Sequence, residues 1–391
     1  MVDVADVATV KSALREQRIE TPSWAFANSG TRFKVFPQRG VPRTAEEKIA
    51  DAATVHRFTG VAPSVALHIP WDRVPDFRAL RSYAGDLGVE IGAINTNVFQ
   101  DEDYKLGSVT NPDAGVRRKA VDHLLEAIGI MQVTGSRDLK LWFSDGINYP
   151  GQDDLRDRQD RLAAALREAY DGLGDGQRML LEYKLFEPAF YATDVPDWGT
   201  SFAHCVELGE QATVCIDTGH HAPGTNIEFI VAFLLRAGKL GAFDFNSRFY
   251  ADDDLMAGAA DPFQLFRIMY EIVRGGALDP AYGIRFMLDQ CHNIEMKIPA
   301  IIRSVMNVQE ATAKALLVDR DALRSAQQAG DVLGANAVLM DAYNTDVRPL
   351  LAEVREDAGL DPDPIAAYRR SGYQERIETE RIDGQQAGWG A

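Results

Sequence analysis

The strongest constraint on this chain is an alternation, repeated eight times, between a short apolar run and an amphipathic stretch. After an opening helix over 4–18, Pro22-Ser23-Trp24-Ala25-Phe26-Ala27 reads as a first strand, closed by Asn28-Ser29-Gly30. Thr44-Ala45-Glu46-Glu47 starts a helix that runs to about Phe58, since hydroxyl and acidic side chains suit the unsatisfied N–H groups of a helix start. Val65 to Trp71 is the second strand, with a helix over 75–87; Glu90 to Val98 is the third, with a helix over 112–133. The remaining strands are expected over 139–143, 179–184, 214–217, 240–245 and 284–289. Helices over 153–172, 199–209, 227–237 and 262–274 separate them.

Strands that are nearly continuous in apolar residues belong to a parallel sheet covered by helices. Eight of them favour a closed (β/α)8 TIM barrel over an open doubly wound sheet. An open sheet would more often carry a glycine-rich phosphate loop after its first strand; Ser29-Gly30-Thr31 is not one. The reading divides the chain into a catalytic barrel over 1–293 and a C-terminal helical extension over 294–391. Long helices are expected over 294–329 and 331–357. The extension exceeds what one barrel needs and would wrap a neighbouring subunit. From Asp361 onward the composition suggests a poorly ordered or partner-draped tail.

Charge excludes some functions. A formal net charge of -17 argues against a nucleic-acid partner, because phosphates attract basic faces. No apolar run approaches the roughly 18 residues of a membrane helix, and the first residues show no signal pattern. Cys205, Cys215 and Cys291 cannot pair completely and have no CxxC spacing, which fits reduced thiols and a cytoplasmic protein.

Barrel enzymes draw their chemistry from the C-terminal ends of the strands. Here those ends carry His68, Trp71 and Asp72; Trp142 and Asp145; Glu182 and Lys184; Asp217 and His220; Asp244 and Asn246; and Asp289. Carboxylates crowded at consecutive strand ends repel one another unless a cation lies among them. Oxygen-rich ligation points to Mg²⁺ or Mn²⁺, and one imidazole tilts the choice towards Mn²⁺. Each residue also has a plainer reading. Glu182 can pair with Lys184, Asp217 and His220 can be a strand end and a helix cap, the tryptophans can be core residues, and Asp252-Asp253-Asp254 can be a solvated loop. His221 and His292 read as supporting or structural residues, whereas His56, His123 and His204 fall in helices.

Four segments together resemble the metal-site motifs of L-rhamnose isomerase: Glu182-Tyr183-Lys184, Ile216 to His221, Phe245 to Asp254, and Met287-Leu288-Asp289. The likeness runs from about Trp24 to Asp289 and extends to the helical tail; it points to the shorter, broad-specificity branch of that family. It implies a homotetramer acting on a small sugar with two divalent ions per subunit, Mn²⁺ first, with Mg²⁺, Co²⁺ or Zn²⁺ as alternatives. By resemblance, Glu182, Asp217, Asp244 and Asp289 would hold one ion. His220, Asp252 and Asp254 would hold the second. One departure stands out: relatives carry a histidine where this chain has Asp244.

The implied reaction is aldose–ketose isomerisation, L-rhamnose to L-rhamnulose; the sequence does not separate a metal-assisted 1,2-hydride shift from a cis-enediol route, and a shielded apolar site favours the shift. Lys184 would contact O1, His68 would assist ring opening, and Asp252 or Asp254 would manage the hydroxyl proton. Trp24, Trp71 and Trp142 would wall the sugar. The rival readings are a related isomerase or epimerase with another main sugar, a metal-dependent phosphodiester hydrolase on the same fold, and an inactive sugar-binding protein.

Overall fold

A computed structural model describes residues 7–28, 35–186, 190–292 and 294–381. Eight parallel strands close a barrel: β1 (Glu20–Pro22), β2 (Ser64–Ile69), β3 (Glu90–Thr96), β4 (Asp138–Leu141), β5 (Arg178–Glu182), β6 (Ala212–Asp217), β7 (Leu240–Phe245) and β8 (Arg285–Leu288). Each strand pairs with its neighbours in sequence, and β1 closes the ring on β8 through Glu20 opposite Met287. The expected (β/α)8 architecture is therefore present, with helices around it. The loop reading at Ser29-Gly30-Thr31 lies outside the described residues.

The strands show two faces once the ring is closed. Val65, Leu67, Leu139, Leu141, Leu181, Val214, Ile216, Phe243 and Leu288 join the large core between barrel and helices. The alternate positions turn inwards and are small or polar, with Leu180, Cys215 and Ala242 forming a separate minor cluster. At the floor, buried Asp138 accepts from both Arg178 and Arg285. Glu20 there approaches β3 so closely that a Cβ on Gly92 would come within 1.5 Å of its carboxylate, so only glycine fits.

Helix starts follow the acidic composition. Thr44 caps α2 (Ala45–Thr59) as expected, while Asp76, Asp113, Asp154 and Asp261 cap α3 (Phe77–Asp86), α4 (Ala114–Thr134), α5 (Leu155–Asp171) and α8 (Pro262–Arg274). Between the last two lie α6 (Trp198–Leu208) and α7 (Ile227–Arg236), and α1 (Val7–Glu16) precedes the barrel.

Three expectations need correction. The first strand lies earlier than 22–27: it spans Glu20–Pro22, and Ser23–Phe26 form a 3-10 turn that swings Trp24 over the mouth. The long C-terminal helices are each broken in two. They become α9 (Lys297–Leu316), α10 (Arg320–Ala329), α11 (Val332–Asn344) and α12 (Arg348–Asp357), with Asp319 and Asp331 capping new starts. The stretch after Asp361 is not a loose tail through Arg381. It forms α13 (Pro364–Arg370) and α14 (Tyr373–Glu380), and buries Tyr368 and Tyr373 against the barrel core. Arg381 closes it with a two-pronged pair on buried Asp51, which also accepts from Tyr373.

The helices after 294 share the barrel's own core. Ile298, Ile301, Ile302 and Val305 of α9 lie in it, and Val347, Leu351 and Val354 pack with Val10 and Leu14 of α1. No helix among the described residues is long and apolar enough to cross a membrane.

Candidate metal and sugar site

Four consecutive strands, β5 to β8, bring Glu182, Asp217, Asp244 and Asp289 to the barrel mouth. One carboxylate oxygen from each lies within 4.8 Å of the others. Register explains the convergence: Asp217 on β6 faces Asp244 on β7, and Asp289 follows the last residue of β8, whose Met287 faces Asp244. Asp217 and Asp244 are completely buried. Asp217 accepts from Asn246 Nδ2 at 3.0 and 3.2 Å, and Trp24 Nε1 donates to Asp289 Oδ1 at 2.8 Å.

His220 follows β6 and connects this cluster to the loop after β7. Its Nδ1 lies 3.1 Å from Glu182 Oε1 and 3.0 Å from the Tyr183 carbonyl; its Nε2 faces Asp217 Oδ2 at 3.7 Å and Asp252 Oδ1 at 3.5 Å. Asp254 lines the same pocket but belongs to none of the groups gathered within 4.8 Å among the described residues. Asp253 turns back to cap Phe249 and Tyr250, so the triple aspartate divides between site and loop.

The electrostatics are those of anions crowded away from water. Desolvation, opposed by His220 and reinforced by Asp252 and Glu182, pushes Asp217 up to about 8. Burial pushes Asp244 up to about 6 even though Lys140 pulls the other way. Asp254 and Asp289 are driven well above the carboxylate range, first by desolvation and then by neighbouring aspartates. Asp244 Oδ2 and Asp252 Oδ1 are buried without a hydrogen-bond partner among the described residues. Hard anionic donors at this separation, with two orphaned oxygens, fit a divalent cation.

Above the carboxylates lies a cleft of about 530 Å³, counting its open mouth. His68 stacks on Trp71 with centroids 4.0 Å apart, Trp24 meets the His68 ring edge-on at 5.4 Å, and Phe99 packs on Trp142. Lys184 pairs with Asp252 Oδ2 at 2.7 Å and lies 4.9 Å from the Trp142 ring centre, so its partner is Asp252 rather than the expected plainer alternative, Glu182. Trp24 does more than wall the cleft, because its indole N–H is committed to Asp289.

The expected site residues thus meet at one mouth: all line the cleft except Asp217, which sits beneath it in the carboxylate cluster. Asp72 and Asp145, also at strand ends, point elsewhere. Asp72 pairs with buried Lys48, and Asp145 accepts from Ser108 and Thr110. His221 supports the site from behind through Tyr183 Oη at 2.6 Å.

Phe99, Asn95 and Lys140 were not anticipated. Lys140, buried on β4, contacts Asp244 Oδ1 directly and lies 3.6 Å from Met287 Sδ. Burial works against its charge, but Asp244 and then other anions hold it well above its ordinary pKa. A lysine between two outward-facing leucines, Leu139 and Leu141, was the available signal: alternation must turn it into the barrel.

A family model of L-rhamnose isomerase (RhaA) matches residues 77–350. The chain belongs to the L-rhamnose isomerase family. A probable sugar isomerase of Rhizobium meliloti is 42% identical over 386 residues, covering 96% of this chain and 89% of that protein. The xylose isomerase of Thermus thermophilus is 29% identical over 49% of this chain and 51% of its own length. The L-rhamnose isomerase of Salmonella paratyphi B is 25% identical over 59% and 55% respectively. Among solved structures, an L-ribulose 3-epimerase aligns over 84% of this chain and 97% of its own, with TM-score 0.52 and 18% identity, a likeness of fold. Membership makes the chain a sugar isomerase by family, and the acidic cluster is where that family member could bind metal.

Proposed function

We propose that this sugar isomerase interconverts an aldose and its 2-ketose, L-rhamnose and L-rhamnulose first among them, at a two-ion site. The observation that carries the reading is the gathering of Glu182, Asp217, Asp244 and Asp289 within 4.8 Å beneath an aromatic-walled cleft. These four would hold one ion; His220, Asp252 and Asp254, with Asp217 shared, would hold the second, and Mn²⁺ suits the mixed oxygen and imidazole donors. Bound there, the ions supply Lewis acidity to a carbonyl and to a developing alkoxide.

The side chains supply the rest. Lys184, oriented by Asp252 and the Trp142 face, donates to O1 of the sugar. His68 is neutral, because burial and then Lys48 keep its pKa well below the usual value; it can therefore exchange a proton with the ring oxygen as the sugar opens. Asp252 is held anionic by His220 and Lys184, which suits it to orient Lys184. Asp254, which lines the same cleft, is the acceptor for the hydroxyl proton. Trp24, Trp71, Trp142 and Phe99 exclude water, which favours direct hydride transfer from C2 to C1 over exchange through an enediol.

Exposed apolar side chains stand in the segments that follow β5, β7 and β8: Phe190 is 89% exposed, Tyr250 76% and Ile294 80%. Such exposed apolar surface supports assembly of copies, and a homotetramer belongs to the proposal. So does a cytoplasmic location, which the three free cysteines fit. The test uses protein stripped with EDTA and reloaded with Mn²⁺, assayed on L-rhamnose, L-lyxose, L-mannose, D-allose and D-allulose. Metal-restored ketose formation from L-rhamnose is expected, with deuterium placed at C2 retained at C1. Turnover that survives stripping would remove the metal role, and complete loss of label to solvent would remove the hydride shift.

A further inference from the structure

Lys140 reaches the carboxylate cluster from below. It stands on β4, opposite Asn95 on β3 and Leu180 on β5, and is buried. Its ammonium contacts Asp244 Oδ1 and has the Met287 thioether at 3.6 Å. Asp244 Oδ2 is buried without a hydrogen-bond partner among the described residues. The lysine has therefore claimed one oxygen of Asp244 and left the other to the centre.

We propose that Lys140 is a positioning residue and a resident cation of this centre: it fixes Asp244 as a one-oxygen donor and sets how strongly the centre attracts its divalent ion. The proposal rests on the ion-binding reading of the cluster given above. In the ion-loaded centre, where the ion has displaced their protons, the four carboxylates carry four negative charges and Lys140 offsets one of them. Without Lys140 all four face the ion, and the metal-free centre loses its internal counter-charge. The lysine thus trades affinity for a centre that stays assembled while the ion is away. Its separation from the cluster is short and dry, so one unit charge there has a large effect.

The test compares whole wild-type protein with K140M and D244N. Mn²⁺ affinity is read by titration calorimetry, and melting is followed in EDTA and in excess Mn²⁺. K140M is expected to bind Mn²⁺ at least about tenfold more tightly, to melt lower than wild type in EDTA, and to recover on adding Mn²⁺. D244N is expected to bind at least about tenfold more weakly. K140Q, which keeps an amide donor to Asp244 without the charge, gives the same tightening if K140M does not fold. Unchanged or weaker binding in both lysine variants overturns the proposal, as does D244N with wild-type affinity. Wild-type protein that takes up no Mn²⁺ overturns the ion centre itself, and with it this role. Failure to isomerise any sugar, with ion binding intact, bears on the substrate reading alone.

Discussion

Replacing Asp217 by asparagine should stabilise the protein without ions and destabilise it with them. Asp217 is completely buried, and desolvation pushes it up to about 8. In an unfolded chain the same carboxyl ionises near 4, so between those pH values the folded state binds the extra proton and is penalised as pH rises. At pH 7 the penalty is about 4 kcal/mol, from about three pH units at about 1.4 kcal/mol each. Asparagine removes it but weakens the bonds that Asn246 and Gly219 donate to the carboxyl, at about 1 kcal/mol apiece. The net gain is about 2 kcal/mol, or about 2–3 °C in melting temperature for a chain of this size. Saturating Mn²⁺ should reverse the order: an ion present at a thousand times its Kd stabilises wild type by about 4 kcal/mol, and the variant loses most of that. Two melting curves for each protein, in EDTA and in Mn²⁺, suffice. If D217N melts below wild type by the same margin in both buffers, Asp217 is an ordinary structural carboxylate.

Three further outcomes are expected. Because Asp217 titrates near 8 and Asp244 near 6 without ions, Mn²⁺ must displace protons, so its affinity should rise with pH from about 6 to about 8. Calorimetry in buffers of different ionisation enthalpy measures the protons released, and no release would contradict the pKa shifts. W24F removes the 2.8 Å bond to Asp289 and should lower kcat/KM about tenfold or more with folding intact, since hydrogen bonds to charged groups contribute about 1.5–3 kcal/mol; undiminished turnover would return Trp24 to a simple wall. R381M leaves Asp51 buried with its charge unpaired and should cost about 3–5 kcal/mol in a denaturant titration. A negligible cost would mean the last helices are only loosely attached.

The barrel was legible because its strands must present one apolar face to the helices. Leu139, Leu141, Val214, Ile216, Phe243 and Phe245 announce that face wherever they fall. The first strand was displaced for the same reason: Ser23–Phe26 is apolar enough to resemble a strand, but its side chains bury in a 3-10 turn beyond the strand's end. The tail was misread because composition records polarity and not pairing. Arg381 and Asp51 are 330 positions apart, and nothing local to either reveals that the two meet.

The same limit separates what could be read of the site from what could not. Glu182, Asp217 and Asp289 are conspicuous because a carboxylate at the end of an apolar strand needs a partner. Their partners are spread over the ring: Trp24 from the turn after β1, Lys140 from β4, and Lys184 from the loop after β5. Lys140 and Asp244 are 104 positions apart, and only closure of the ring makes them neighbours. Alternation says that Lys140 turns inwards; it cannot say which anion waits there. Ligand candidates are thus written along single strands, whereas the charge balance that decides how those ligands behave is a property of the closed barrel.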